Sequence, residues 1–302
     1  MTRRKNSTIT RFMHHRRAMI GGIILVILVG LSLLAPVITQ VLDVSHERVD
    51  IFNALQSPSW EHPLGTDSIG RDVLARLLYG GRISLMIGLI SVLIVAVIGG
   101  TIGLISGYVG GQVDIIMMRI TDSIIALPLL PLLIVLSAID VTILGIEQDS
   151  DINEWLSVIQ IIVVISIFGW TTIARLIRGV TLSVKARLFV LAAEAIGASP
   201  VRVMVYHILP EVISPLIIAS TLAIGNIILL ESVLSFLGLG VQPPIPSWGS
   251  MLTNAQDVIT TAPLLAVYPG LLIFLTVMAF NLVGDALQEI LDPRIHSSPA
   301  AD

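Results

Sequence analysis

The sequence predicts an all-α, polytopic membrane protein with six transmembrane helices, and three observations carry that prediction. First, 55% of the 302 residues are hydrophobic, only 13% are charged, and the mean hydropathy is +0.93. A water-soluble chain covers its surface with polar groups, and 17 basic plus 21 acidic side chains are too few to do so. Second, the apolar residues are strung into runs of about twenty, the length a helix needs to cross ~30 Å of hydrocarbon. Third, the basic residues fall in alternate loops, as they do in a chain that weaves through a bilayer. The net charge of −4 disfavours nucleic acid as a partner, and the absence of cysteine excludes disulfides, thiolate metal sites and thiol nucleophiles.

The elements follow in chain order. A basic tail, 1–17, carries Arg3, Arg4, Lys5, Arg11, Arg16 and Arg17 and should stay in the cytoplasm. The first crossing, 18–41, is too long for a signal-peptide h-region, and Leu34-Ala35-Pro36 is a poor cleavage site, so it is expected to remain as an anchor. An extracytoplasmic segment, 42–82, alternates Asp67, Arg71, Asp72 and Arg76. Charges at that spacing can pair along a helix, which would give an amphipathic ledge on the outer surface. Packing against a neighbouring loop, contact with substrate and docking of an external protein are three uses for it. A five-helix core, 83–285, holds crossings near 83–107, 115–139, 156–174, 212–237 and 264–284, and a cytoplasmic tail, 286–302, ends the chain. Arg119 and Asp122, three apart at the start of the third crossing, are expected to neutralise each other at the interface, and Pro128 and Pro131 should kink that helix. Sorting the basic residues by this topology leaves only Arg48, Arg71, Arg76 and Arg82 outside; Arg119, Arg175, Arg178, Lys185, Arg187, Arg202 and Arg294 join the tail inside. The segment near 140–155 has no Lys or Arg and carries Asp140, Glu147, Asp149, Asp151 and Glu154, as an external loop should.

The loop between the fourth and fifth crossings contains FVLAAEAIGASPVRVMVYHILP, Phe189 to Pro210. Its first half reads as a short helix, near 187–199, of strong helix formers stopped by Gly197 and Pro200. Ala192, Ala193, Ala195, Gly197 and Ala198 leave it slim, and Leu188, Leu191 and Ile196 give it apolar anchors that need a cover. Lipid headgroups would serve as well as a protein on composition alone.

The order Ala-Ala, Gly four residues on, then His-Ile-Leu-Pro resembles the cytoplasmic signature of binding-protein-dependent ABC importer permeases, which begins Glu-Ala-Ala. Here Leu191 stands at the position of that Glu, and Glu194 lies three residues later. HPLGTDSIGRDVLARLLYGGRISL (His62 to Leu85), SFLGLGVQPPIPSWGSML (Ser235 to Leu252) and FNLVGDALQEILDPR (Phe280 to Arg294) are similar to the C-type subunit of the peptide and nickel permease subfamily. The resemblance runs over nearly the whole chain. It implies the type I ABC importer permease fold, and a coupling helix in which Leu191, Ala192, Ala193, Glu194 and Gly197 dock on an ATPase subunit. It also implies a homologous second permease, two ATP-binding subunits that hold the ATP and Mg, and an extracytoplasmic substrate-binding protein, all at a bacterial inner membrane. No cofactor is implied for this chain itself.

Within the crossings, Glu231 is the one deeply placed acid. A charge near the bilayer centre costs ~3 kcal/mol on insertion scales, so Glu231 should face a cavity, a partner or a proton, in either a pathway or a subunit-interface role. Asn226 and Asn281 are weaker candidates for the same roles, and Asp285 weaker still, since amides often join membrane helices. No His spacing reads as a metal motif, and neither Lys5 nor Lys185 follows the glycines of a phosphate-binding loop, so the chain is read as a non-catalytic transport subunit. The function expected is import of di- or oligopeptides, with nickel or glutathione-like substrates as the alternative. A secondary transporter or channel is the competing class, disfavoured by the scarcity of midplane charge.

Overall fold

In hydrocarbon a backbone must satisfy its own polar groups, so long apolar runs become helices. The computed structural model describes residues 12–13, 15–137 and 150–291, and its regular elements among them are helical, with one isolated bridge between Thr66 and Asp72. Most of the basic tail, the acidic positions Asp140, Glu147 and Asp149, and the last residues including Arg294 lie outside the described residues.

Helix α1, Arg16–Leu33, is followed after Leu34 by the short α2, Ala35–Val41, with Pro36 in its first turn where a missing N–H costs nothing. Helix α3, Val73–Val109, is capped by Asp72, whose carboxylate accepts the Ala75 N–H at 2.7 Å. It starts ten residues earlier than its apolar run suggests, because that cap and a first turn packed under a loop extend it beyond the hydrocarbon. The expected third crossing is two helices, α4, Gly111–Ile125, and α5, Leu129–Ser137, which meet at 83°. Pro128 causes the break: it lacks an N–H and forces the residue before it out of the helical region. Helix α6, Ser150–Lys185, leads to the short α7, Leu188–Ala195, then α8, Pro200–Val203, and one π-turn, Met204–Ile208, entering α9, Leu209–Phe236. Helix α10, Trp248–Ala255, opens on a capping box built by Ser247 and Ser250. Helix α11, Leu264–Leu291, is the last. Five of these helices are long and apolar enough to cross a bilayer, and the bent α4–α5 pair makes a sixth span.

The chain begins and ends its crossings at the same end of the bundle, since His15 bonds Glu289 at 2.7 Å. Helix α7 lies at this end and α10 at the other. Helices α3 and α6 pack with their backbones almost touching. Gly99, Gly103 and Gly107 recur every fourth residue on one face of α3. A Cβ on Gly103 would lie 2.5 Å from the Ala174 carbonyl oxygen, and one on Gly107 would lie 2.7 Å from the Thr181 Cβ. Small residues at this spacing let membrane helices approach closely, where dispersion over the whole contact holds them. Two apolar cores result. One, around Ile87, Ile161, Ile228, Leu234 and Trp248, fills the α10 end; the other, around Tyr108, Ile177, Val190, Ile208 and Val212, fills the α7 end.

Two charge pairings differ from the sequence expectation. Asp122 pairs with Arg175 of α6, not with Arg119, because the packing of α4 against α6 brings a second cation to it from 53 residues away. The charges of 67–76 form no exposed ledge. The chain turns at Gly70 and α3 begins only at Val73, so Asp67 accepts the Ile69 and Arg71 N–H groups and pairs with Arg71 Nε at 2.7 Å and Arg76 Nε at 3.6 Å. All four charged side chains are buried, and Asp72 also bonds His62 at 2.9 Å.

Candidate functional site

Three features have the geometry to act. The first is a cavity of about 810 Å³ between the α4–α5 bend, α6 and α9. Its lining includes Ile125, Leu129, Phe168, Ala219, Asn226 and Leu230, with further polar groups from Thr171, Thr172, Ser214 and Gln288 and no charged side chain among the described residues. Proline shapes it twice, at the bend and at Pro215 inside α9. Such a wall offers passage without a fixed counter-charge.

The second feature is α7. Val190 is its only wholly buried side chain, while Leu188 and Ile196 are 85% and 87% exposed, and Leu191, Ala192 and Ala195 are exposed beside them. Gly197 ends the helix at φ +88, where the Gly197 N–H reaches the Glu194 carbonyl at 2.9 Å and the Ala198 N–H reaches the Ala193 carbonyl at 3.0 Å. That paired closure demands a left-handed residue, which glycine adopts freely. An apolar helix face left bare beyond the apolar spans needs a cover, either a partner protein or the lipid headgroups. The helix is tied back to its own chain by an Arg187–Glu211 ion pair and by Glu194, which accepts the Tyr108 hydroxyl at 3.1 Å.

The third feature is the Glu231 carboxyl, which is fully enclosed. Its Oε1 accepts Ser235 Oγ at 2.8 Å and its Oε2 accepts Ser84 Oγ at 3.2 Å. Each hydroxyl in turn accepts a backbone N–H from the segment leading into α10: Val241 bonds Ser235, and Trp248 bonds Ser84, both at 3.2 Å. The Trp248 indole donates to the Leu77 carbonyl at 3.0 Å. One carboxyl thus joins α3, α9 and α10.

Of the residues expected to act, Leu191, Ala192, Ala193, Glu194 and Gly197 are brought together on α7 and its cap, with Glu194 turned inward. Asn226 faces the cavity. Asn281 and Asp285 lie exposed on α11, outside the cavity lining. Glu231 faces neither the cavity nor an outer surface, since it is satisfied within its own chain. The sequence reading missed Tyr108, whose ring carries Lys185 Nζ 5.2 Å from its centroid and whose carbonyl accepts that amine at 2.6 Å. It also missed Asp114, held by Arg178 at 2.5 and 2.6 Å and by Ser106. The Gly99, Gly103, Gly107 repeat, visible in the sequence, was the signal that α3 meets a close partner.

Apolar spans around an uncharged cavity, with one bare apolar helix outside them, define a polytopic membrane transport subunit. Comparison with known proteins gives the family. Residues 99–297 match the binding-protein-dependent transport system inner membrane component, and residues 6–58 match the N-terminal transmembrane domain of oligopeptide transport permease C. The chain belongs to this family, as a permease subunit of the peptide and nickel type. It is 37% identical over 284 residues to the dipeptide transport system permease protein DppC of Alkalihalophilus pseudofirmus, covering 94% of this chain and 88% of the relative. It is 38% identical over 287 residues to the glutathione transport system permease protein GsiD of Pectobacterium atrosepticum, covering 95% and 90%. Against GsiD of Escherichia coli O157:H7 the figures are 39% over 285 residues, covering 94% and 89%.

Proposed function

We propose that this subunit forms half of the translocation path of an ATP-driven importer of short peptides, and that α7 is its coupling helix. The single observation that carries the reading is α7 itself: eight residues outside the apolar spans, with Leu188, Leu191 and Ile196 uncovered and a rigid glycine cap holding their backbone in place. A homologous second permease completes the cavity, two ATP-binding subunits hold ATP and Mg against the α7 surfaces, and an extracytoplasmic binding protein delivers the substrate. The chain catalyses no reaction of its own. Both termini and α7 lie on the cytoplasmic side, in keeping with the basic residues gathered there and the acidic ones opposite.

Peptides suit a wall that is apolar, sparsely polar and uncharged, since their side chains vary while their backbones do not. Relatives named for dipeptide and for glutathione transport are similarly close, and glutathione is itself a small peptide. The energy for alternating access comes from the different affinities of the inward-open and outward-open states for nucleotide and for the loaded binding protein. The test is to purify the complex through this chain and reconstitute it in liposomes. Co-isolated ATPase subunits whose turnover rises with peptide-loaded binding protein, together with peptide uptake, are expected. A chain that transports alone, driven by an ion gradient, would overturn the reading.

A further inference from the structure

Glu194 does not present its carboxyl to the exterior with the rest of α7. It points back to the Tyr108 hydroxyl, 3.1 Å away, at the last turn of α3. Tyr108 is buried to 9% exposure and is gripped from a third direction by Lys185, at the last residue of α6, through both its ring and its carbonyl. One side chain therefore touches the ends of α3, α6 and α7. Below it Gly99, Gly103 and Gly107 bring α3 against α6 so closely that neither helix can slide without its backbone striking the other. Further along the same two helices, Val95, Phe168 and Thr172 line the cavity.

From this continuity we infer that Tyr108 and Glu194 are positioning residues that make α7 and the α3–α6 pair move as one body, so that displacement of α7 reaches the cavity wall. Without the Tyr108–Glu194 bond, α7 remains attached by its chain ends, by the Arg187–Glu211 pair on the surface and by Val190 in the core. It can then swing on those attachments while α3 stays still. Glu194 thus acts toward the interior of this chain, and the ATPase surface is left to the apolar side chains. The inference rests on the proposed role of α7 as the coupling helix.

The test compares Tyr108→Phe, Glu194→Ala and Glu194→Gln in the reconstituted complex, reading ATPase co-isolation, ATP turnover and peptide uptake separately. The worth of one such hydrogen bond sets a scale of about tenfold for the loss of uptake per ATP hydrolysed in Tyr108→Phe and in Glu194→Ala. Tyr108→Phe should still co-isolate with the ATPase subunits. The double variant should be no worse than either single one, because both remove the same bond. Glu194→Gln keeps an acceptor for the hydroxyl and should restore most of the coupling. Wild-type uptake per ATP in both single variants, or additive losses in the double variant, would overturn the proposal. So would loss of ATPase co-isolation in Glu194→Ala but not in Tyr108→Phe, which would make Glu194 a docking contact. If the unaltered chain binds no ATPase at all, the coupling-helix reading itself fails, an outcome distinct from these.

Discussion

The two ends of the bundle treat polar groups in opposite ways. At the α10 end Asp67, Arg71, Asp72, Arg76 and Glu231 are all less than 10% exposed, and each finds partners inside the chain. At the α7 end the ion pairs Arg175–Asp122, Arg187–Glu211 and Arg17–Glu289 lie on the surface, and large apolar side chains face outward beside them. Buried charges survive only when every lone pair and proton is matched, so the α10 end is fixed in one arrangement. Exposed pairs contribute ~0–1 kcal/mol, so these three hold the outer surface of the α7 end only lightly, and α7 itself is kept in place by the buried contacts around Tyr108 and Val190. A lever needs one anchored end and one that a partner can move.

Substitutions can break this contrast, and the largest effect is expected at Trp248. Its fully buried indole fills the core between α3 and α10, and Trp248→Ala should lower stability by about 3–5 kcal/mol. A fall in the unfolding midpoint of the purified protein in detergent checks it. Next comes Glu231→Ala, which leaves Ser84 and Ser235 without their shared acceptor and loosens the segment leading into α10. About 1–3 kcal/mol is expected for the groups stranded. Faster proteolysis around 238–248 would reveal the loosening, and unchanged protection there would contradict the account.

A smaller effect depends on pH. The His46 ring stacks on Tyr79 with centroids 3.8 Å apart, and burial, aided by the Arg76 charge and opposed by Glu47, pulls its pKa below the ordinary 6.5. The unfolded chain therefore binds this proton more readily than the folded one. Stability at this end should be complete above pH 6.5 and decline as the pH falls through the lowered value. Thermal midpoints measured from pH 8 to 5 should show the decline, and His46→Phe should flatten it. Smallest of all is Arg187→Ala at the opposite end, where loss of an exposed pair should lower stability by less than ~1 kcal/mol and leave the thermal midpoint nearly unchanged.

Much of the architecture was legible in the sequence because lipid reduces the problem to length and polarity. Runs near twenty apolar residues gave the spans, Pro128 the break, and Gly197 the end of α7. Helix ends were read less well: α3 gained ten residues, since its start is fixed by the Asp72 cap, which hydropathy does not register, and α6 begins at Ser150. The expected Arg119–Asp122 neutralisation failed for a related reason. Spacing along one helix ranks near neighbours, whereas Arg175 comes to Asp122 from α6, 53 residues along the chain, where α4 packs against α6. Glu231 was recognisable as a group needing partners, but its partners Ser84 and Ser235 are ordinary serines until folding encloses them.

The absence of cysteine permits one direct measurement of the contrast between the ends. A single cysteine placed by Leu191→Cys on the bare face of α7 can be titrated with a membrane-impermeant thiol reagent in inside-out vesicles. The account predicts rapid labelling of the chain alone and strong protection once the ATPase subunits are bound. A Trp60→Cys control at the α10 end, where Trp60 is fully exposed, should label from the opposite side of the membrane and be indifferent to those subunits. Equal labelling of Leu191→Cys with and without the ATPase subunits would contradict the claim that α7 is the surface they engage.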